Sequence, residues 1–281
     1  MVDFEEFLRY LKSQDYYSDQ IYHIEHIPQK EAQYGVLEEP LRKRLQRWLD
    51  NNNINLWRHQ TDAINSIRKG KNTVIVTSTA SGKSLCYNLP VIQSILEKPT
   101  TTALYLFPNK ALARDQFDAL SRLLKETNIQ QTRVGVYDGD VDANEKRLVR
   151  SNANIVITNP YGLHFYLPSF KKYWRRICQN LKFIVLDEIH IYRGIFGSNF
   201  ALLIRRLKRM LESYNVRPQW ILSSATINNP QAFCEKLVGE EFHVIDRDDA
   251  PSGAKNVILW DLPYDKVSKK YRSPHQETKN L

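Results

Sequence analysis

The chain has 281 residues, of which 42% are hydrophobic and 11% aromatic, a composition typical of a protein with one large packed core or two small ones. No apolar run approaches the roughly 20 residues that a membrane span requires, and the first ten residues carry acids where a signal peptide carries bases. We therefore expect an intracellular, cytoplasmic protein with no membrane partner. The three cysteines lie far apart and form no C-x-x-C pair, so neither a disulfide framework nor a local zinc site is indicated.

Positive charge is concentrated beyond the first fifty residues. The formal net charge is +9, but residues 1–50 carry −3, which leaves +12 on the rest of the chain. A polyanionic partner such as nucleic acid is one explanation of this excess. A domain that is merely basic is the other, and composition alone leaves both open.

Residues 1–55 are predicted to form a small helical N-terminal extension. Apolar residues recur at helical spacing over 4–11 and again over 41–49, and residues 26–40 look like an extended connector punctuated by proline and glycine. An apolar stripe usually packs against a neighbouring core. We therefore expect both helices to pack on the domain that follows.

From residue 73 onward, six short apolar runs alternate with longer helical patterns. The runs lie at 73–78, 102–107, 132–137, 154–159, 182–188 and 220–225. Nearly continuous apolar strands separated by helices are typical of a parallel sheet that is covered on both faces. The sequence thus predicts an α/β fold with a doubly wound parallel sheet over residues 56–248. Because ligands of such sheets bind at the carboxyl ends of the strands, functional residues are expected where strands stop.

Residues 249–281 are polar and contain several prolines, with one further apolar run at 256–260. We interpret this segment as a linker or as the start of a second domain that is cut short.

The first of the six runs leads into TSTASGKS, residues 77–84, which ends like a phosphate-binding loop. The usual pattern, G-x-x-x-x-G-K-[ST], has glycine where this chain has Thr77. A helix predicted to begin at Lys83 would aim backbone N–H groups at a phosphate, while Lys83 reaches the β- and γ-phosphates of ATP and Ser84 holds Mg²⁺. Threonine takes a positive φ only at a cost, so we expect Thr77 to be extended. The candidate nucleotide contacts are Thr79, Ala80, Ser81, Gly82, Lys83 and Ser84.

A second strand end carries the acidic sequence DEIH, residues 187–190. Asp187 can bind the metal through water, and Glu188 can orient and deprotonate the attacking water. His190 is a further candidate at the nucleotide. By itself the stretch could be a solvated acidic turn. In combination with the loop, it predicts that Lys83 and Asp187 converge on one magnesium-bound triphosphate.

Two weaker signals accompany the loop and the acidic stretch. Gln60, in LWRHQ, can pair its amide with the N6 and N7 edge of adenine, although a surface glutamine at a helix start is the simpler alternative. SSAT, residues 223–226, can link the γ-phosphate region to Asp187 and His190 through its hydroxyl groups. Ser224 and Thr226 are the candidate coupling residues, and a small polar turn is the alternative.

The ordered strings LWRHQ, TSTASGKS, FPNKALARDQ, TNPYGL, DEIH and SSAT together resemble the first RecA-like lobe of superfamily 2 DExH-box helicases, which are P-loop NTPases. The longer strings TSTASGKSLCYNLPV and DEIHIYRGIFGSNFALLIRRL are similar to a branch of bacterial and fungal DNA repair helicases that includes mitomycin repair factor A. The resemblance runs from about residue 22 to about residue 260. In this branch the loop tolerates threonine at its first position.

The resemblance implies two sets of contacts to the backbone of single-stranded DNA, of the sequence-neutral kind that a translocating motor requires. The first set is Pro108, Asn109, Lys110 and Arg114, and the second is Thr158, Asn159 and Pro160. By the residues alone, Lys110 and Arg114 could form a solvated helix face, and Asn159 could cap a helix. Further basic clusters at 171–176 and 205–210 are interpreted as exposed faces, and residues 192–199 as either a mobile loop or a rigid turn.

The function implied by the resemblance is an ATP-dependent DNA helicase motor working in DNA repair, with ATP and Mg²⁺ as cofactors. Its expected partners are single-stranded DNA and a second RecA-like lobe in cis, outside this sequence, and we expect a monomer. An RNA helicase and a nucleotide-gated nucleic-acid-binding module are the alternatives. Because the second lobe normally lends arginine fingers to the γ-phosphate, we expect the 281-residue chain alone to hydrolyse ATP poorly and not to unwind DNA.

Overall fold

The computed structural model of the chain describes residues 3–265, 270–275 and 278. The chain divides into two compact units, Ala32–Ala250 and a smaller one made of Met1–Glu31 with Pro251–Leu281. The predicted boundary at residue 55 does not coincide with this division, because residues 32–55 belong to the large unit.

The helices, in chain order, are α1 (Phe4–Lys12), α2 (Lys43–Asn51), α3 (Arg58–Arg68), α4 (Lys83–Glu97), α5 (Lys110–Glu126), α6 (Ala143–Asn152), α7 (Pro160–Tyr166), α8 (Phe170–Tyr173), α9 (Arg175–Gln179), α10 (Gly194–Glu212) and α11 (Pro230–Val238). The strands are β1 (Ile21–Ile27), β2 (Thr73–Val76), β3 (Thr102–Leu106), β4 (Val134–Val136), β5 (Ile155–Thr158), β6 (Leu181–Leu186), β7 (Gln219–Ser224), β8 (His243–Ile245), β9 (Lys255–Trp260), β10 (Tyr264–Asp265) and β11 (Lys270–Tyr271).

A parallel sheet forms the centre of the large unit, and within the described residues it has seven strands in the order β4-β5-β3-β6-β7-β2-β8. Each of the six predicted runs overlaps one of these strands, with β6 and β7 beginning one residue before their runs, so the predicted doubly wound α/β fold is confirmed. The three-residue strand β8 was not predicted. In this order only β7 separates β2 from β6. The phosphate-loop candidate and the acidic stretch therefore follow the carboxyl ends of two strands that are two positions apart in the sheet.

The two faces of the sheet bury separate apolar clusters. On β2, Val74 and Val76 join a cluster with residues of α7, α10 and α11, whereas Ile75 joins a cluster with residues of α2, α3, α4 and α5. Alternate residues of one strand therefore enter opposite layers, and this explains why the runs are apolar throughout. The expectation that the helix near 41–49 packs on the following domain is confirmed by the place of α2 in the second cluster.

The small unit contains α1 and two antiparallel strand pairs, β1 with β9 and β10 with β11. Leu8 and Leu11 are the buried residues of α1, and the carboxylate of Asp3 caps this helix by accepting a hydrogen bond from the Glu5 N–H at 3.2 Å. Strand β1 was predicted as part of the N-terminal extension rather than as a strand. It pairs with β9 from the other end of the chain, and such a partner is invisible to a local pattern.

Cys86, Cys178 and Cys234 are free and buried, and burial raises the pKa of each thiol to about 12. Each therefore remains a neutral thiol and packs as a small apolar side chain. Among the residues described, no helix combines the length and the apolar character of a membrane span.

Candidate active site

The phosphate-loop candidate, residues 77–84, adopts its turn without a glycine at its first position. Thr77 continues the strand pairing, because its N–H donates to the Ser224 carbonyl at 3.3 Å. The positive φ angles fall on Ala80, at 64°, and on Gly82, at 65°. The expectation that Thr77 is extended is thus confirmed, and the left-handed positions lie further along the loop.

Gly82 cannot be replaced without disturbing its neighbours. Besides its positive φ, a Cβ at this position would lie 2.4 Å from Gln60 Nε2 and 3.3 Å from a ring carbon of Trp57. Gln60 donates from Nε2 to the Gly82 carbonyl at 3.1 Å and accepts the Trp57 N–H at 2.9 Å. The buried Gln60 amide therefore holds the loop, and any pairing with adenine would have to use its one remaining N–H and its remaining lone pair.

His59, which sequence analysis did not single out, connects the loop to the residues that follow β8. Its buried ring donates from Nε2 to the Ser81 carbonyl at 2.9 Å and accepts the Asp249 N–H at Nδ1 at 3.2 Å. An Nδ1 that accepts from an N–H carries no proton, so the ring is the neutral Nε2–H tautomer. Next to it, the Asp248 carboxylate accepts the Ser78 N–H at 3.0 Å.

Lys83 is buried inside the loop, where its ammonium group donates to the carbonyls of Thr77 at 3.2 Å and Ser78 at 2.7 Å. Within the described chain, no side chain caps the start of α4. The first N–H groups of a helix have no intrahelical partner, so this helix start can accept an anion. Ser84 is half-buried at the same helix start.

Asp187 lies directly after β6 and is held by donors from three elements. Its Oδ1 accepts from the Ser223 hydroxyl and from the Glu188 N–H, the latter at 2.9 Å, and its Oδ2 accepts from the Tyr87 hydroxyl at 3.1 Å. Tyr87 is one turn beyond Lys83 on α4. Burial and the Asp187 charge raise its pKa well above the usual range, so the hydroxyl remains a donor. Tyr87 thereby joins the helix behind the loop to the acidic strand end.

Glu188 has the left-handed backbone conformation, with φ 52°. Its pKa is raised mainly by burial and secondly by the Asp187 charge, against the opposing effects of Lys83 and His190. A raised pKa makes a carboxylate a stronger base, as a general base requires. His190 Nδ1 lies 3.2 Å from Glu188 Oε2 and also accepts the Ala225 N–H at 3.4 Å.

The residues of 223–226 that contact the acidic stretch are not the predicted coupling residues, Ser224 and Thr226. The hydroxyl of Ser223, rather than Ser224, reaches Asp187, and the backbone of Ala225 reaches His190. The Ser224 hydroxyl is buried and has no hydrogen-bond partner among the described residues, while Thr226 is exposed. The link from this strand end to the acidic stretch therefore runs through neighbouring positions.

The DEAD/DEAH box helicase family model matches residues 57–233 of the chain. The chain belongs to the DEAD/DEAH box helicase family. ATP-dependent helicase YprA of Bacillus subtilis (strain 168) is 43% identical over 238 residues, which are 84% of this chain and 32% of that protein. ATP-dependent helicase HRQ1 of Saccharomyces cerevisiae is 39% identical over 257 residues, which are 90% of this chain and 24% of that protein.

Solved structures give the same result. The DUF1998 helicase MrfA bound to DNA matches 100% of this chain and 39% of its own, with a TM-score of 0.90 and 39% identity. MrfA bound to DNA and AMPPNP matches with the same TM-score and identity. The DEAD-box helicase Mss116 matches with a TM-score of 0.63 at 16% identity, a likeness of fold alone. The resemblance to the first RecA-like lobe of superfamily 2 helicases is thus confirmed. The chain spans 32% of the length of YprA, 24% of HRQ1 and 39% of MrfA.

The two sets of predicted nucleic-acid residues in this helicase lobe follow β3 and β5, which are neighbouring strands. In both sets an asparagine caps a helix, since the Asn109 amide oxygen accepts the Leu112 N–H and that of Asn159 accepts the Gly162 N–H, each at 2.9 Å. Lys110 is exposed and pairs with Asp140 at 2.6 Å.

The remaining members of the two sets divide by exposure. Arg114 is exposed on α5, whereas Pro108, Thr158 and Pro160 are buried. The Thr158 hydroxyl donates inward to the Tyr137 carbonyl at 2.5 Å. The exposed cations of the two sets are therefore Lys110, which is paired with Asp140, and Arg114.

Proposed function

We propose that this chain is the first motor lobe of an ATP-dependent DNA helicase that works in DNA repair, and that it binds ATP and Mg²⁺ between residues 77–84 and the Asp187–Glu188 pair. The observation that carries this proposal is the hydrogen bond from Tyr87 on α4 to Asp187 after β6. This bond joins the helix that begins at Lys83 to the acidic strand end, which supports the binding of one triphosphate by both. The relatives' names support an ATP-dependent helicase, and the match to a helicase crystallised with DNA and AMPPNP supports DNA and a nucleotide as its ligands.

In this proposal the phosphates are held at the start of α4, in the loop formed by Thr79, Ala80, Ser81 and Gly82. The Lys83 ammonium exchanges its two loop carbonyls for the β- and γ-phosphates. Mg²⁺, when bound, would offset the negative charge of the phosphates.

Ser84 and Asp187 would hold the metal, and the Asp187 carboxylate is already oriented by the hydroxyls of Ser223 and Tyr87. Glu188 is the general base that takes a proton from the attacking water, and burial raises its pKa in the direction this role needs. His190 lies beside Glu188, and its Nδ1 accepts the Ala225 N–H at the end of β7.

Single-stranded DNA is the proposed second ligand, at the ends of β3 and β5. Lys110 and Arg114 would contact its phosphates, since both are exposed cations on one face of α5. The Lys110 contact with Asp140 is an exposed ion pair, and such pairs break at little cost. We expect a second RecA-like lobe in the longer protein to supply the arginine that completes the γ-phosphate site.

The proposal is tested with single-turnover ATP hydrolysis and nucleotide binding in the full-length protein. Lys83→Ala should lose ATP binding, whereas Glu188→Gln should bind ATP and lose roughly 10²- to 10⁴-fold in hydrolysis rate. Unchanged hydrolysis by Glu188→Gln would instead support a nucleotide-gated binding module. Stimulation by single-stranded RNA that equals or exceeds stimulation by DNA would replace the DNA helicase with an RNA helicase.

A further inference from the structure

An open groove of about 440 Å³ lies between α7 and α10 in the large unit. We call it the aromatic groove and define it by Tyr161, His164, Phe196, Leu202, Leu203 and Arg206, which line it. It begins at Pro160, the residue that ends the second set of proposed DNA contacts. Sequence analysis interpreted residues 192–199 as either a mobile loop or a rigid turn and residues 205–210 as an exposed basic face; in the structure, residues 194–199 form the start of α10.

Four aromatic rings run from the core to the surface at this groove. Tyr192 stacks on Phe200 with centroids 4.1 Å apart and on Phe196 at 5.5 Å, and Phe196 faces Tyr161 at 6.2 Å with 28° between the ring planes. Tyr192 is 1% exposed and Tyr161 is 73% exposed. The inner rings are thus fixed by packing, and the outermost ring presents most of its surface to solvent.

Charge at the aromatic groove is of one sign. Arg206 donates from Nη1 to His164 Nδ1 at 3.2 Å, so its guanidinium is oriented at the groove wall. Among the described residues that line the groove, none carries a carboxylate. Aromatic faces beside an oriented cation match the chemistry of unpaired nucleobases joined by phosphates. They match a polar protein surface poorly.

We propose that the aromatic groove is a stacking platform for unpaired bases of the translocated single strand. Tyr161 takes a base on its open face, and Arg206 takes a neighbouring phosphate. This inference rests on the proposed DNA-binding function and deepens it, because the contacts at Lys110 and Arg114 involve only the DNA backbone. Stacking is tolerant of sequence since every base has a π-face, and a motor that moves along DNA needs that tolerance.

The test compares two fluorescently labelled oligonucleotides of equal length, oligo(dT) and an abasic tetrahydrofuran chain, by anisotropy with the full-length protein. Tyr161→Ala should bind oligo(dT) about tenfold more weakly and bind the abasic chain as the wild type does. Tyr161→Phe keeps the ring and should match the wild type on both ligands. Arg206→Gln should weaken binding of both, because it removes a phosphate contact.

Phe165→Ala is the matched control, because Phe165 is an aromatic residue on the same helix, is 76% exposed and does not line the groove. It should leave both affinities unchanged. Equal losses by Tyr161→Ala on oligo(dT) and on the abasic chain would overturn the stacking inference, and so would no loss on either. If Lys110→Ala still weakens DNA binding in those cases, the proposed function stands. A wild-type protein that binds neither oligonucleotide would overturn both.

Discussion

His59 is the residue through which we expect the phosphate loop to depend on the chain beyond β8. Its neutral ring holds the Ser81 carbonyl with one nitrogen and the Asp249 N–H with the other, and the side chain is fully buried. The two contacts can be removed separately. In His59→Asn the amide oxygen replaces Nδ1 and keeps the Asp249 contact, whereas in His59→Gln the amide nitrogen replaces Nε2 and keeps the Ser81 contact.

Each variant leaves one buried backbone group without a partner, which costs about 1–3 kcal/mol of unfolding free energy. We expect urea unfolding of the chain to show similar losses for both variants and a larger loss for His59→Ala, which removes both contacts. ATP affinity should distinguish His59→Asn from His59→Gln. His59→Asn releases the Ser81 carbonyl, and a loop that is less ordered by about 1 kcal/mol binds ATP about fivefold more weakly.

The assay is titration of a fluorescent ATP analogue into each variant at a temperature where all of them are folded. His59→Gln serves as the matched control, because it carries the same stability loss with the loop contact intact. Equal ATP affinities for the Asn and Gln variants would refute the idea that His59 acts through Ser81. Unfolding free energies equal to that of the wild type would show that neither buried hydrogen bond contributes.

Three further predictions concern the same site. Burial and the Asp187 charge raise the pKa of Glu188 above 4.5 in the folded protein, so the folded protein loses stability as the pH rises through this pKa and Glu188 ionises. Glu188→Gln should therefore unfold at a higher urea concentration than the wild type at pH 7. Below pH 4.5 this difference should vanish. Tyr87→Phe keeps the buried ring but removes one hydrogen bond to the Asp187 carboxylate. The Mg²⁺ concentration that half-saturates ATP hydrolysis should then rise about tenfold, which corresponds to a loss of about 1.4 kcal/mol of Mg²⁺ binding free energy. An unchanged magnesium requirement would show that Tyr87 does not orient Asp187. Gly82→Ala places a Cβ 2.4 Å from Gln60 Nε2 at a positive φ, and calorimetry should find no ATP binding, whereas wild-type affinity would mean that the loop adjusts freely.

The parts of this structure that the sequence predicts are those encoded locally. Continuous apolar runs located six strands, and the polar residues that follow them located the loop and the acidic stretch. Thr77 could be predicted as extended because threonine avoids a positive φ. The residues of the loop with a positive φ are Ala80 and Gly82. None of these inferences required knowledge of which strand lies next to which.

The missed residues depend on strand order. Strand β8 has only three residues, so no periodic pattern marks it, yet its place beside β2 brings Asp248 and Asp249 to the loop. Tyr87 looks like a core residue of α4, and its hydroxyl becomes informative only once β6 is known to lie two strands from β2. Likewise, Ser223 rather than Ser224 faces Asp187 because alternate residues of β7 point to opposite sides.

Helix capping separates the two anion sites of the proposed motor. Helix α4 begins without a side-chain cap, and in its first turn the Leu85 N–H donates to the Gly82 carbonyl at 3.1 Å. The N–H groups of Lys83 and Ser84 are the ones we assign to the phosphates of a nucleotide that must be held while it reacts. Helices α5 and α7 are capped by Asn109 and Asn159, whose amide oxygens accept an N–H of the first turn, and α7 begins at Pro160, which has no N–H. Helix α7 therefore has one N–H fewer than α4 for a DNA phosphate, and we assign the DNA contact to exposed cations and, on our inference, to the ring of Tyr161. A DNA strand that is held by screened charges and sequence-tolerant stacking can be released at each step of translocation. A DNA strand that was held by helix N–H groups, as the nucleotide is in our proposal, could not.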